Sequence, residues 1–301
     1  ENKYTSTNIK NNDFREHINL IQKEGLEFIN ANNFKQNLEE NKLNRKILIT
    51  IDDAFLSFYE NAWPIFKKEK IPFILFVNTR EIGSYNYMSW EQLREIAQEE
   101  FVYIGNHSHS HEYLVDKTSE EIYNDINTSI LIIKEKLNLN PEFFSYPFGE
   151  YSIEFKRIIK KLGFKYAFGQ HSGVIDETKD YYELPRFPIN EKYGEKKRFQ
   201  TLLKTIPLKY KKILPEEKLI NDSTNPPDVS IEFYNTVKNI NCYSNEENKW
   251  RKSKIIFIDE KKIKIKLIGK FTTERGRINC SIREENGFWK WLGIQFVVSE
   301  K

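Results

Sequence analysis

The feature that most constrains the fold is a series of short apolar segments that alternate with helical patterns. Residues 47–51 form a continuous, largely β-branched run, which is typical of a strand buried on both faces of a parallel sheet. Four more strands are predicted in the same way, at residues 73–77, 101–104, 143–146 and 166–168. Strands that alternate with helices indicate an α/β fold with a parallel sheet or barrel.

Helical periodicity fills the segments between these strands. We predict a helix, an extended piece and a second helix within residues 13–43, and further helices at 56–70, from Ser89 onward, at 118–137 and at 152–162. Ser89 and Gln92 have the spacing of a capping box, which indicates that a helix begins there.

The sequence pattern changes after about residue 190. Residues 225–228 combine two prolines with Asn and Asp, which is typical of a linker. Beyond them the chain shows short alternating runs, such as residues 263–267, and almost no helical period. We therefore predict two domains, one at residues 1–222 and a small all-β, sandwich-like domain at residues 228–301.

Composition excludes several classes of protein. The 301 residues carry a net charge of only +3, which argues against a nucleic-acid footprint. The mean hydropathy is −0.66, and the longest apolar run, residues 71–77, is interrupted by Pro72, so no transmembrane segment is predicted. The sequence starts at Glu1 without an apolar leader, so we expect either a processed product or a deliberately trimmed chain. If a signal peptide was removed, the protein acts outside the cytoplasm.

Polar residues stand where three of the predicted strands end. Asp52 and Asp53 close the first strand, residues 106–111 place three histidines after another, and residues 147–149 close a third. Sites in open parallel sheets and barrels form at the carboxyl ends of the strands. Taken singly, each segment has a plainer interpretation: a helix N-cap pair, a solvated histidine loop and an ordinary turn.

In this order the three segments resemble the polysaccharide deacetylases that share the NodB homology domain, carbohydrate esterase family 4. The matching segments are residues 50–54, 107–111 and 146–151, and residues 87–93 are similar to the corresponding stretch of poly-N-acetylglucosamine deacetylases. The resemblance covers roughly residues 10–200. It implies a distorted (β/α)7-type barrel and a bound divalent metal, most often Zn²⁺, with Co²⁺ or Ni²⁺ as alternatives.

Carried over by position, the resemblance implies that Asp53, His107 and His111 are the metal ligands. Two imidazoles and one carboxylate leave an open position for water, as a catalytic zinc site requires. The spacing of four residues would place both histidine rings on one side of a helical turn. His109 would then point elsewhere, as an exposed or supporting residue.

The resemblance also implies the catalytic roles. Asp52 would be the general base toward the metal-bound water, and the backbone N–H of Phe148 would hold the oxyanion. Many members carry an arginine where this chain has Ser145, and Arg186 is the predicted substitute partner of the base. A second departure is Ala54, because glycine usually follows the Asp pair.

The remaining site predictions are less constrained. His171, in a glycine-flanked loop, is either the general acid that protonates the leaving amine or a surface residue, with Asp176 as a weaker candidate for orienting it. Tyr146, Pro147 and Trp90 are predicted substrate contacts.

The C-terminal region leaves two questions open. Cys242 and Cys280 either bridge two sheets in an oxidising compartment or remain buried thiols. Trp289 and Trp291 flank Lys290 and so project to one face of a strand, as core residues or as a glycan platform.

The leading hypothesis is a metal-dependent enzyme that removes N-acetyl groups from an extracytoplasmic polysaccharide. The alternatives are a non-catalytic glycan-binding protein on a degenerate deacetylase scaffold and an O-acetyl esterase of the same family. A different metal hydrolase, such as a phosphoesterase, is disfavoured because no second cluster of ligand residues follows a predicted strand. We expect a polysaccharide partner and no nucleic acid, and the oligomeric state stays open.

Overall fold

The structure is a computed structural model, and it describes residues 7–40 and 44–299. Its N-terminal part is α/β, as predicted. The strands there are β1 (Glu27–Phe28), β2 (Lys46–Ile47), β3 (Ile49–Ile51), β4 (Phe73–Val77), β5 (Val102–Asn106), β6 (Phe143–Ser145) and β7 (Tyr166–Phe168). The helices are α1 (Asn11–Lys23), α2 (Phe34–Glu39), α3 (Leu56–Asn61), α4 (Trp63–Glu69), α5 (Trp90–Ala97), α6 (Ser119–Leu137), α7 (Ile153–Lys161) and α8 (Lys196–Leu202).

Strands β3 to β7 form one parallel sheet in sequential order, which curls into a half-barrel. Strands β1 and β2 form a second parallel pair, and β2 runs into β3 after a single residue, so one extended segment serves both sheets. All five residues of β4 are buried, as its unbroken apolar sequence requires. The predicted distorted barrel is confirmed, in an open form.

The helices follow the predictions with one correction. The capping box of Ser89 and Gln92 is present at the start of α5. The single helix predicted at 56–70 is two helices, because Pro64 lies in the first turn of α4 and its ring cannot continue the preceding helix. The end of the segment predicted at 13–43 falls on residues 41–43, outside the described residues. No helix in the described part of the chain is long and apolar enough to cross a bilayer.

The C-terminal part is all-β, and its strands form two sheets. These strands are β8 (Thr205–Pro207), β9 (Tyr210–Leu214), β10 (Leu219–Ile220), β11 (Val229–Phe233), β12 (Asn241–Ser244), β13 (Arg251–Lys252), β14 (Lys254–Phe257), β15 (Lys262–Lys266), β16 (Arg275–Arg283) and β17 (Trp289–Val298). One sheet has the order β10-β17-β16-β12-β13, with β8 also paired to β17, and the other has the order β14-β15-β11-β9. The alternating residues of facing strands, such as Ile231, Ile263, Ile278 and Phe296, meet in one buried core.

Three strands that precede residue 222 belong to these two sheets. Strand β9 pairs with β11, and β8 and β10 both pair with β17. The predicted boundary at residues 222–228 was based on the proline-rich linker, yet the strand pairing of the C-terminal sheets begins earlier, at β8. We propose that the C-terminal domain starts near residue 205.

Cys242 and Cys280 form a disulfide. The two residues lie directly opposite each other on β12 and β16, so the bond joins neighbouring strands of one sheet. The predicted bridge between two sheets is therefore wrong, while the bond itself is present. Of the two tryptophans on β17, Trp291 packs edge-on against Phe187, and Trp289 lies beneath the Arg283 guanidinium.

Candidate metal and catalytic site

The carboxyl ends of β3, β5, β6 and β7 carry the polar residues that the sequence analysis identified. Asp52 and Asp53 follow β3, residues 107–111 follow β5, residues 146–149 follow β6, and His171 lies in the loop after β7. Because the strands are parallel, these loops meet at one edge of the sheet.

Asp53, His107 and His111 form a compact cluster at this edge. Each offers one ligand atom, and these atoms lie within 4.8 Å of one another. Asp53 Oδ1 is 3.6 Å from His107 Nε2 and 3.3 Å from His111 Nε2. Two imidazoles and a carboxylate are a donor set of catalytic zinc sites, which keep a further position for water or substrate. The three residues fit a divalent cation, and they are the three ligands predicted from the sequence.

Neighbouring polar groups orient two members of the cluster. The His107 ring is buried, and its Nδ1 lies 2.7 Å from the Ser145 carbonyl oxygen. Since a carbonyl only accepts, Nδ1 carries the proton and Nε2 presents its lone pair to the cluster. The Asn78 side chain donates a hydrogen bond of 3.2 Å to Asp53 Oδ1. Asn78 follows β4, so the same strand-end argument would have found it.

The backbone at the aspartate pair is unusual. Asp53 has a φ of 73° and the fully buried Ala54 a φ of 57°, both in the left-handed region. That region disfavours residues with a Cβ. Ala54 therefore adopts the left-handed backbone that a glycine would favour at this position.

The histidine loop is not helical, so the predicted helical turn at residues 107–111 is wrong. Ser108 (φ 71°) and His111 (φ 53°) are left-handed, and Ser108 Oγ accepts a hydrogen bond from the His111 N–H at 3.0 Å. This bend, rather than helical spacing, brings the two imidazole rings together. His109 lies outside the cluster, with its Nδ1 2.9 Å from Thr79 Oγ1.

A carboxylate on α6 fixes the same loop, and the sequence analysis misses it. Asp125 accepts hydrogen bonds from the backbone N–H of His109 at 2.8 Å and of Ser110 at 3.1 Å. No local pattern marks Asp125, because its role depends on how α6 packs beside the loop.

Asp52 forms a two-pronged ion pair with Arg186. The Arg186 Nη1 donates to Asp52 Oδ1 at 2.8 Å and its Nη2 to Oδ2 at 3.0 Å. The same guanidinium donates to Ser145 Oγ at 2.9 Å, Thr50 Oγ1 at 3.1 Å and the Gly169 carbonyl at 2.9 Å. The structure thus places Arg186 on the Asp52 carboxylate, as predicted, and Ser145 contributes a hydroxyl acceptor to the guanidinium.

Burial and charge act differently on the four central groups. Burial alone would raise the pKa of Asp52, but Arg186 outweighs burial and lowers that pKa to about 2. Burial raises the pKa of Asp53 to about 6 and lowers the pKa values of His107 and His111. Both imidazoles are therefore favoured in the neutral form, which is the form that binds a metal.

Phe148 occupies a tight turn beside the cluster. Its φ of 59° and ψ of 3° are left-handed, and Gly149 follows with a φ of 72°. The Phe148 ring packs edge-on against His111, with 4.8 Å between ring centroids, and stacks on Tyr113 at 4.3 Å. A Cβ added to Gly149 would lie 2.4 Å from the Gln170 backbone nitrogen, so the turn is packed tightly onto the loop after β7.

The predicted substrate contacts lie mostly in the core. Tyr146 is fully buried, and its hydroxyl donates to the Tyr182 carbonyl at 2.9 Å. Pro147 is buried as well, and Trp90 is partly buried against the core beneath α5. Their contact with substrate stays a prediction, and the burial of the Tyr146 ring argues against it.

The predicted general acid is also buried. His171 is 8% exposed, and its Nδ1 has no hydrogen-bond partner among the described residues. Burial lowers the pKa of His171 to about 3, so the ring is neutral at physiological pH and lacks the proton that an acid must donate. Asp176 pairs with Lys179 at 2.5 Å. The acid role of His171 stays a prediction that its surroundings do not favour.

Comparisons with known proteins agree with this site. Residues 39–167 match the family model described as polysaccharide deacetylase. A poly-beta-1,6-N-acetyl-D-glucosamine N-deacetylase from Staphylococcus aureus (strain MSSA476) is 26% identical over 198 residues, which is 61% of this chain and 68% of the relative. A protein of the same name from Staphylococcus epidermidis is 25% identical over 210 residues, 65% of this chain and 71% of the relative.

Solved structures share the fold. IcaB from Ammonifex degensii superposes with a TM-score of 0.58 at 22% identity, over 65% of this chain and 89% of that one. The deacetylase PplD from Streptococcus pyogenes also gives a TM-score of 0.58 at 22% identity, over 62% of this chain and 83% of that one. Residues 39–167, which carry Asp52 and the cluster of Asp53, His107 and His111, are a polysaccharide deacetylase domain, and Arg186 lies beyond the matched segment.

Proposed function

We propose that this chain is a metal-dependent N-deacetylase of an extracytoplasmic polysaccharide, with poly-N-acetylglucosamine as the first candidate substrate. The observation that carries the proposal is the Asp53, His107 and His111 cluster directly beside the ionised Asp52–Arg186 pair. The names of the staphylococcal relatives support an N-acetylated glycan as the substrate.

The cluster would hold one divalent cation, zinc first, with cobalt or nickel as alternatives. When bound, such a cation lowers the pKa of a water ligand and so supplies a nucleophile near neutral pH. The protein's own contribution is the arrangement of the donors. The hydrogen bond from His107 Nδ1 to the Ser145 carbonyl fixes which ring nitrogen faces the cluster.

Asp52 is the proposed general base. A pKa near 2 keeps the Asp52 carboxylate ionised, which is the form that can accept a proton, and the same effect of Arg186 makes that carboxylate a weaker base. Arg186 holds both carboxylate oxygens in a fixed plane, which positions that base. The Phe148 backbone N–H is the proposed donor to the oxyanion that forms on the acetamide carbonyl, and loss of such a donor typically costs about 3 kcal/mol.

The disulfide supports the proposed location. Cys242 and Cys280 are paired, and structural disulfides persist in oxidising compartments rather than in the cytosol.

The test of the proposed function is acetate release by the zinc-loaded protein from β-1,6-linked N-acetylglucosamine oligomers. Asp52→Asn should lower kcat about 100-fold or more, because it removes the base, and should leave one metal per chain. Asp222→Asn is the matched control, since Asp222 is almost fully exposed and its ion pair among the described residues is with Lys270 at the surface. A fully active Asp52→Asn variant would show that the role given to Asp52 is wrong.

The same assay separates the alternatives. Zinc-loaded protein that binds the oligomers but releases no acetate would favour the non-catalytic glycan-binding hypothesis. Release from O-acetylated glycans, with none from N-acetylated glycans, would favour the esterase.

A further inference from the structure

Residues of the C-terminal domain contact the loops after β6 and β7 of the deacetylase domain. Glu150, the residue after the Phe148 turn, is 2% exposed, and its Oε1 accepts a hydrogen bond from Arg275 Nε. Its Oε2 is buried and has no hydrogen-bond partner among the described residues. Arg275 is the first residue of β16, 125 positions further along the chain. A buried carboxylate of the turn therefore depends on a cation from the other domain.

Arg275 also contacts the aromatic ring of Phe148 in the turn. The guanidinium carbon lies 5.6 Å from the centroid of Phe148, within the range of a cation–π contact. Tyr113, which stacks on the same ring, donates to Glu274 Oε2 at 2.8 Å and lies 3.5 Å from Arg275 Nη2. Arg275 thus touches both the ring of the turn and the aromatic residue that covers it.

Strand β17 adds contacts to the same loops. The Gln295 side chain donates to the Gly149 carbonyl at 3.3 Å. Gly293 lies so near the loop after β7 that an added Cβ would be 2.2 Å from the Ser172 carbonyl oxygen. Next to it, Leu292 forms a β-bridge with Gly173. Two strands of the sandwich therefore press against two of the loops that surround the metal cluster.

We propose that the C-terminal sandwich is an integral part of the catalytic site, in which Arg275 is a positioning residue that holds the Phe148 turn. The left-handed backbone of Phe148 is intrinsically disfavoured and persists only if its surroundings enforce it. Arg275 contacts the turn at two points, through the ion pair with Glu150 and through the cation–π contact with the Phe148 ring. The inference rests on the proposed function, since the turn carries the proposed oxyanion donor.

A purely structural role makes different predictions from a positioning role. If Arg275 only joined the two domains, its loss would lower the free energy of unfolding and leave kcat of the folded fraction unchanged. If Arg275 positions the turn, its loss lowers kcat while KM and metal content stay close to those of the wild type. A displacement on the order of 1 Å at a catalytic donor is enough to lower the rate about 100-fold.

The test compares Arg275→Ala and Arg275→Lys with Arg283→Ala as the matched control. Arg283 ends the same strand, is exposed and lies over Trp289, far along β16 from the turn. We expect Arg275→Ala to lower kcat about 10- to 100-fold with KM within about threefold of the wild type. Arg275→Lys, which keeps the charge, should recover part of the loss, and Arg283→Ala should behave as the wild type.

Amide hydrogen exchange at residues 148–150 gives a readout that does not need activity. Arg275→Ala should accelerate exchange there, while residues 107–111 and the metal content remain unchanged. Wild-type kcat together with wild-type exchange in folded Arg275→Ala would overturn the inference. If the wild type itself released no acetate, the proposed function would fail, and the exchange data would still decide whether Arg275 holds the turn.

Arg275→Ala leaves the buried Glu150 carboxylate without a counterion, and this variant could fail to fold for that reason. A double variant covers that case. Glu150→Gln combined with Arg275→Gln removes both charges and roughly conserves volume. We expect this protein to fold and to show the same fall in kcat, since an amide pair does not reproduce the guanidinium contact with Phe148. Wild-type kcat in this double variant would overturn the inference.

Discussion

Arg186→Lys should destabilise the protein and remove most of its deacetylase activity, because one guanidinium joins the ends of two strands, β3 and β6, and the loop after β7. Arg186 donates five hydrogen bonds, two of them to Asp52 and one each to Thr50, Ser145 and the Gly169 carbonyl. The side chains of the ion pair are only 12% and 20% exposed, so water replaces little of what is lost.

The size of the effect follows from counting donors. A lysine ammonium donates at most three hydrogen bonds, so at least two of the five are lost. Each hydrogen bond with a charged partner contributes about 1.5–3 kcal/mol, which gives a fall of about 3 kcal/mol or more in the free energy of unfolding. The remaining point charge also no longer fixes the plane of the Asp52 carboxylate, so kcat should fall at least about tenfold.

Urea unfolding and acetate release measure the two effects. Arg94→Lys is the matched control, because Arg94 pairs with Glu91 on the surface of α5 and such pairs contribute less than about 1 kcal/mol. If the free energy of unfolding of Arg186→Lys is within about 1 kcal/mol of the wild-type value and kcat is unchanged, Arg186 does not have this role.

Two further predictions use the buried groups of the neighbouring loops. The pKa of His171 is lowered to about 3, so the unfolded chain binds more protons than the folded one between about pH 3 and 6.5, and stability is lost as the pH falls through that window. His171→Asn should remove about 2.5 kcal/mol of this dependence in urea unfolding compared between pH 7 and pH 4.5, and an unchanged difference between the two pH values would contradict the assignment. Gly149→Ala should cost at least about 2 kcal/mol in the same assay, because the new Cβ meets the Gln170 backbone at 2.4 Å, whereas Gly287→Ala, with a similar φ and open space, should cost only about 1 kcal/mol. Equal costs for the two glycines would show that the turn is not tightly packed.

Local sequence patterns predicted where the strands end, and the family resemblance supplied the ligand set and the catalytic roles. The apolar runs end just before Asp52 and shortly before His107, and parallel strands bring such ends to one edge of a sheet. The replacement of an arginine near Ser145 by Arg186 followed from the family resemblance. The helical turn at the histidines was wrong because two residues with positive φ, Ser108 and His111, bend the loop in a way that residue spacing does not encode.

Contacts between distant segments were not predictable from the sequence. Strand β9 pairs with β11 across the proline-rich linker, and the linker composition does not indicate this contact. Arg275 approaches Glu150 only because β16 packs against the turn, and nothing near position 275 indicates a role in the site. His171 is likewise buried in a loop that contacts β17, through the β-bridge between Gly173 and Leu292.

The central claim is that Asp53, His107 and His111 bind one catalytic cation, and metal stoichiometry tests it most directly. His107→Ala and His109→Ala form a matched pair, since both histidines lie in one loop and only His107 belongs to the cluster. After equilibration with zinc and removal of free metal, the wild type and His109→Ala should each retain one zinc per chain, and His107→Ala should retain none. Zinc retained by His107→Ala, or absent from the wild type, would contradict the account.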